Sequence, residues 1–394
     1  MRPYILLISL LILSLLITMA PYAVAEEKVV VAVDLAHGEN DKYLDYIMGN
    51  ITSVDGRTVE WVIIDESITP DVLENVDILI LGQPTTSLTP DEMQAIISWL
   101  EEGNKALWVA SDSDYGGGPS SQKAANELLE VIGAKLRVEY GAVYDDVYNA
   151  KAYYRVLGFV EPDNMPFLYT DIIKEGIEKP VLYHGPSVVI WVDENGVPHD
   201  PVTETFEGLV RIVWTSDVAY MADNNPPPTL LYSPLFDKNR SFILLAAEYW
   251  ADNNNVIVVS GESPYGDYEP TWASVYYGVE LDGPKFVTNM IRWLAKIAKE
   301  GAAIPTRTVT TTVTKEVTET LTTTRTQTTT ETVTETVTET ITETETKTVT
   351  STFTTTSVET ETATVTVTDW TMTGVVGIIL LIIGLVVGMA IKRK

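Results

Sequence analysis

The side chains able to do chemistry in this chain are acids and an imidazole, not thiols. Asp34, His37 and Glu39 share the stretch Asp34-Leu35-Ala36-His37-Gly38-Glu39. Asp112 and Asp114 share Ser111-Asp112-Ser113-Asp114. Such groups offer oxygen and nitrogen ligands to a divalent ion, or polar contacts to a small ligand. Polar residues at strand ends also face water or cap helices with no ligand at all. The three histidines, His37, His184 and His199, show no spaced metal motif, so no metal site and no cofactor are assigned. There is no cysteine, which excludes disulfides, thiolate metal sites and a Cys nucleophile. Ser111 and Ser113 lie outside any Gly-x-Ser-x-Gly pattern, so no catalytic residue is assigned. Gly116-Gly117-Gly118 has the composition of an anion cradle, but a lone glycine triplet reads first as a loop.

The elements that must position these residues are legible. Val76 to Tyr115 reads as strand, helix, strand. Asp77 to Leu81 is a short apolar run ending at Gly82. Thr89 and Glu92 form a capping box, with Pro90 at the first helical position. Met93, Ile96, Ile97 and Leu100 share one face, and Gly103 supplies the stop. Ala106 to Ala110 is the next strand. Upstream, Lys28 to Val33 and Thr58 to Ile64 are strands, with Tyr43, Leu44 and Ile47 on a helix between them. Downstream, Pro119 to Ile132 is a helix with Ala124, Ala125, Leu128, Leu129 and Ile132 facing inward. This alternation predicts an α/β fold, an open and mainly parallel sheet with helices on both faces.

The period weakens from Lys135 to about residue 205, which reads as an insertion or a smaller β-rich lobe. Its many Tyr and Trp residues suit core packing before ligand stacking. Leu209 to Trp214, Thr229 to Tyr232, Phe242 to Glu248 and Val256 to Ser260 are strand-like. Phe286, Met290, Trp293, Leu294 and Ile297 form the buried stripe of a last helix. In an open parallel sheet, ligands sit beyond the carboxyl ends of the strands. The residues expected there are Asp34, His37, Glu39, Gln83, Asp112 and Asp114.

Both ends of the chain point to a membrane. Residues 1–25 have the pattern of a secretory signal: basic Arg2, apolar Ile5 to Ile17, and Ala23-Val24-Ala25 at the cleavage position. Residues 26–304 are then the outer domain. From 305 to 369 Thr dominates, with Val and Glu, and the expectation is an extended, disordered stalk. Fully stretched, it reaches on the order of 200 Å. Residues 370–391 are apolar and long enough for one bilayer span, and 392–394, Lys-Arg-Lys, keep the far end in the cytoplasm. Asn50-Ile51-Thr52 and Asn239-Arg240-Ser241 fit the N-glycan acceptor pattern at Asn50 and Asn239. The net charge of −29 makes nucleic acid and anionic lipid surfaces poor partners.

Four pieces of this chain resemble the class I glutamine amidotransferase-like domains of gliding-motility, ABC-transport auxiliary and intraflagellar-transport proteins. They are Asp34-Leu35-Ala36-His37-Gly38, Asp77-Ile78-Leu79-Ile80-Leu81-Gly82, Pro198-His199-Asp200-Pro201-Val202-Thr203, and Phe286 to Leu294. The third carries an extra Asp relative to that group's His-Pro-Val-Thr turn. The likeness runs over roughly residues 28–298, with a divergent middle. True amidotransferases need a Cys at the turn after a strand, with His and Glu partners. The missing Cys therefore implies a non-catalytic, binding or scaffold role. Stalk and anchor also resemble those of archaeal surface solute-binding proteins. The expected function is a membrane-anchored surface binding or accessory domain, of a transporter or an envelope complex. An extracellular hydrolase using a held metal or paired acids, and a structural envelope spacer, are the alternatives.

Overall fold

Val29, Val30, Val31, Ala32 and Val33 are side chains that suit a strand covered on both faces. In the computed structural model they lie within β1 (Lys28–Asp34) and are all buried. The structure describes residues 27–266 and 271–303, with the backbone of 308–317 and 329–338. β1 belongs to a ten-stranded sheet. Its other strands are β2 (Ser53–Val54), β3 (Arg57–Ile64), β4 (Ile78–Gly82), β5 (Ala106–Ala110), β6 (Arg155–Val160), β7 (Val181–His184), β8 (Leu209–Trp214), β9 (Ile243–Trp250) and β10 (Asn255–Ser260). The spatial order is β2-β3-β1-β4-β5-β10-β9-β8-β6-β7.

The expected parallel sheet is one part of this structure. Strands β3, β1, β4, β5 and β10 run parallel. From β10 outward, β9, β8, β6 and β7 pair antiparallel. The change of direction follows from a connection: β9 meets β10 through the tight turn at 251–254, and a turn that short admits only antiparallel pairing. The stretch expected as an insertion or lobe supplies β6 and β7 to this main sheet. It also feeds two three-stranded sheets, one of Leu136–Val138, Val189–Val192 and Pro198–His199, the other of Ala142–Tyr144, Ala219–Ala222 and Lys238–Arg240.

Among the described residues, four helices longer than one turn cover the sheet: α1 (Leu44–Asn50), α2 (Pro90–Glu101), α3 (Gly118–Val131) and α4 (Gly283–Glu300). Val29, Val31 and Val33 join one core, with Ile47 of α1 and Phe286, Met290, Trp293, Leu294 and Ile297 of α4. Val30 and Ala32 join the other, with Ile96 and Leu100 of α2 and Leu128 and Leu129 of α3. Period-two alternation along β1 thus sends successive side chains into two separate cores. The capping box at Thr89 is made in full, and Gly103 takes the left-handed conformation that ends the α2 turn. Met93 and Ile97 of α2 are only half-buried, while Ala95 and Trp99 are buried.

Thr229 to Tyr232 corrects a strand expectation. These residues form no ladder, because the backbone N–H groups of Leu230, Leu231 and Tyr232 donate instead to the Glu139 carboxylate. In the Thr-rich segment, taken by itself, Thr308–Val317 and Thr329–Thr338 pair antiparallel, with Thr308 opposite Thr338. The sequence expectation for 305–369 is an extended, disordered stalk. Alternating β-branched residues favour extended backbone, and that preference acts without a core. The expected signal at 1–25, span at 370–391 and tail at 392–394 lie outside the described residues. Among the described residues no helix is long and apolar enough to cross a membrane.

Candidate functional site at the carboxyl edge of the parallel strands

The register of the parallel strands decides what meets at their carboxyl ends. Asp34 pairs with Leu81, Gly82 with Ala110, and Ala110 with Ser260. The loops beginning at Leu35, Gln83, Ser111 and Gly261 therefore leave one edge together. Direct hydrogen bonds tie them. The backbone N–H groups of Thr85 and Thr86 donate to the His37 carbonyl at 2.8 and 3.0 Å. Gln83 Nε2 donates to the Ser111 carbonyl at 3.0 Å and to Glu262 Oε1 at 3.2 Å. The Tyr265 hydroxyl donates to the Asp34 carbonyl at 3.2 Å.

Asp34, His37 and Glu39 come together at this edge, with one ligand atom from each lying within 4.8 Å of the others. Asp34 is fully buried and His37 nearly so. His37 Nδ1 lies 2.7 Å from Asp34 Oδ2, and its Nε2 lies 3.2 Å from Glu92 Oε2. Both ring nitrogens thus face carboxylate oxygens, an arrangement that only the doubly protonated imidazolium satisfies. The Asp34 hydrogen bond raises the His37 pKa most. Burial opposes it, and Glu92 adds to the rise. For Glu92, burial pulls upward, but donors from Thr89, Ile68 and His37 outweigh it and hold the carboxyl below its usual range.

Glu39 is the unusual member. Its Oε2 accepts the His37 backbone N–H at 3.0 Å, while its buried Oε1 has no hydrogen-bond partner among the described residues. Burial first, then the adjoining Asp34 carboxylate, pushes Glu39 up to about 10. Two carboxyl groups this close in a shielded site keep one proton between them, or accept a cation. Gly38 makes the fold-back possible. It has a φ of +85°, and a Cβ there would stand 2.3 Å from Thr85 Oγ1.

The other expected site residues are built into the scaffold. Gln83 holds a φ of +68° and bridges three strand ends. Buried Asp114 accepts the Asn224 and Asn225 backbone N–H groups and Asn224 Nδ2, which fixes the 224–225 loop. Asp112 accepts the Ser113 N–H at 2.6 Å. Asp112 and Asp114 are thus occupied by contacts of their own, and neither belongs to the Asp34 cluster. Asn50 and Asn239 are exposed. His199 stacks on Trp191 at 4.0 Å and pairs with Glu204 at 2.8 Å. Asp200 accepts the Tyr232 hydroxyl at 2.7 Å and pairs with Arg240.

Sequence reasoning offers the Gly261–Tyr265 loop as a fourth at this edge without giving Glu262 or Tyr265 a contact, and it does not bring Glu92 here. Glu92 was visible only as a helix cap; its contact with His37 spans 55 residues. Tyr265 depends on Gly82, because a Cβ at Gly82 would stand 2.3 Å from the Tyr265 ring. Gly82→Ala is therefore expected to displace this ring and cost about 1–3 kcal/mol, read from the urea midpoint. An unchanged midpoint would show that the ring seats elsewhere at no cost.

No family model matches this chain, and no curated protein matches it. Among solved structures, the N-terminal domain of mmIFT52 is similar at 15% identity with a TM-score of 0.43, over 67% of this chain and 96% of that one. A protein from Bacteroides uniformis described as ThuA-like is similar at 13% identity with a TM-score of 0.41, over 72% and 98%. Both likenesses are distant and assign no activity.

Proposed function

We propose that residues 26–304 are a non-enzymatic binding domain held at the cell surface by the C-terminal apolar segment. It serves as an accessory to a transporter or envelope complex. The observation that carries this reading is the use of polar groups at the carboxyl edge. Asp114, Glu262, Gln83 and Glu92 are spent on backbone and side-chain contacts that hold loops. Within the Asp34–His37–Glu39 cluster, Glu39 Oε1 lacks a hydrogen-bond partner among the described residues, and it is the group there that a ligand would engage. The test is hydrogen exchange on the full chain, in its native membrane and after purification. Protection of 34–39, 83–87 and 111–118 that disappears on purification supports a bound partner. Identical exchange in both states rejects one.

A second reading is favoured by the grouping of Asp34, His37 and Glu39: a divalent ion bound there, serving hydrolysis. The ion would displace protons from His37 and Glu39, so its affinity would rise steeply with pH. Elemental analysis of the purified chain, with thermal shifts in Ca²⁺, Mn²⁺ and Zn²⁺, decides this. No bound ion, and no shift that Glu39→Gln abolishes, would remove the metal version.

A further inference from the structure

Arg155 is an exception among the basic groups of this chain. Acids outnumber bases 55 to 26, so acceptors for a guanidinium are plentiful. Among the described residues, Arg57, Arg211, Arg240 and Arg292 each pair with a carboxylate, and Arg137 donates to two backbone carbonyls. The Arg155 guanidinium does neither among those residues, and its Nε is buried without a partner. A buried donor left unmet costs about 1–3 kcal/mol.

Aromatic rings hold this side chain instead. Its guanidinium carbon lies 4.1 Å from the centre of the Tyr277 ring, 5.1 Å from that of Tyr154 and 5.2 Å from that of Tyr276. The walls brace one another edge to face. Tyr276 and Tyr277 have centroids 4.6 Å apart, Tyr154 and His184 5.5 Å, and His184 and Tyr276 6.1 Å. A ring face answers the charge of a guanidinium but offers no lone pair to its N–H groups. The cage therefore fixes the cation and leaves its donors unused. Arg155 is half-buried and its Nε is enclosed, so the Nη pair is the end that solvent reaches.

The cage is tied to the carboxyl edge. Arg155 opposes His184 in the β6–β7 ladder. The His184 N–H donates to Glu262 Oε2 at 2.9 Å, and Glu262 Oε1 accepts from Gln83. Beside it, Tyr277 is 59% exposed, and Tyr153, 47% exposed, packs edge to face on Tyr154.

We propose that Arg155 anchors a second binding site, which takes the carboxylate of a small organic ligand while Tyr277 and Tyr153 carry the rest of that ligand. Two Nη groups side by side match the two oxygens of a carboxylate. The braced walls hold the cation in place before the ligand arrives, so little ordering remains to be done on binding. The net charge of −29 opposes polyanions that face the whole surface. It acts weakly on one carboxylate touching a guanidinium, because salt screens charges more than about 8 Å away. This site stands whether or not the Asp34 cluster binds anything.

Benzoate is the probe, and benzyl alcohol, similar in shape but uncharged, is its control. Saturation-transfer NMR on the purified full chain is expected to give benzoate a Kd on the order of 1 mM, at least about tenfold below that of benzyl alcohol. Equal binding of the two would mean ring stacking alone and overturns the proposal, as does no binding of benzoate. That comparison needs no variant. Arg155→Lys keeps the charge and loses the fork, and is expected to weaken benzoate about fivefold or more with benzyl alcohol unchanged. Benzoate bound equally well by Arg155→Lys also overturns the proposal. Competition sets the ligand class: inorganic phosphate that displaces benzoate at a lower concentration than acetate does overturns the assignment to carboxylates.

Discussion

The folded domain is expected to melt at a lower temperature at pH 9 than at pH 5, and Glu39→Gln is expected to reduce that difference. The sign follows from proton binding. Glu39 is held protonated up to about 10 in the fold, against an ordinary value of 4.5. Between those values the folded chain keeps a proton that the unfolded chain has released, so stability falls as pH rises through the window. His37 acts in the same direction. Its pKa is raised in the fold, so its contribution is complete below 6.5 and is lost as pH climbs through the folded value. The depressed acids act oppositely. Glu92 and Asp282 contribute above their ordinary values, and that contribution is lost as pH falls through their folded ones.

Glutamine at position 39 keeps the shape and carries no charge at pH 9. Its expected gain over the native chain there is on the order of 1–3 kcal/mol, which shrinks to nothing near pH 5. Thermal melts of both chains at intervals from pH 4 to 10 measure this. Parallel profiles would mean that Glu39 does not keep its proton in the fold at pH 9.

Glu139→Ala is expected to cost about 3–5 kcal/mol and to release the segment from Thr229 to Tyr232. Glu139 is fully buried, and its two oxygens accept four backbone N–H groups, from Tyr140, Leu230, Leu231 and Tyr232. Burial pushes this carboxyl up, and the four donors oppose it. Removing the side chain leaves those N–H groups without acceptors. Water can repair only the outer ones, since Leu230 is 45% exposed while Tyr232 is buried. Glu139→Gln keeps one acceptor oxygen but turns an amine toward the remaining donors, so an intermediate loss is expected. Urea unfolding measures the energy, and amide exchange of residues 229–240 measures the release. A full loss of stability with no change in that exchange would place the cost elsewhere.

Much of the scaffold was legible because its signals are local. The Thr89 box, Pro90 and Gly103 delimit α2 through backbone geometry within a single turn at each end. The alternation of Val29 to Val33 places side chains on opposite faces of a strand wherever that strand sits. The antiparallel half was less legible. Whether β6 and β7 stand in the main sheet or in a separate lobe is settled by what they pair with, and Val and Leu content is the same in either case. Thr229 to Tyr232 misled for a related reason. The run has strand composition, but the Glu139 carboxylate, 91 to 93 residues upstream, takes its N–H groups.

The sequence by itself determined which residues can ionise, that no thiol exists, and where strands and helices start and stop. Those properties belong to single side chains or to neighbours within a few residues. Only the tertiary structure decided that Glu92 closes on His37, that Glu39 turns back on Asp34 in a shielded site, and that Asp112 and Asp114 are spent on local contacts. Charge and proton affinity inside a protein depend on distance and on exclusion of water, and neither is set until distant segments pack together.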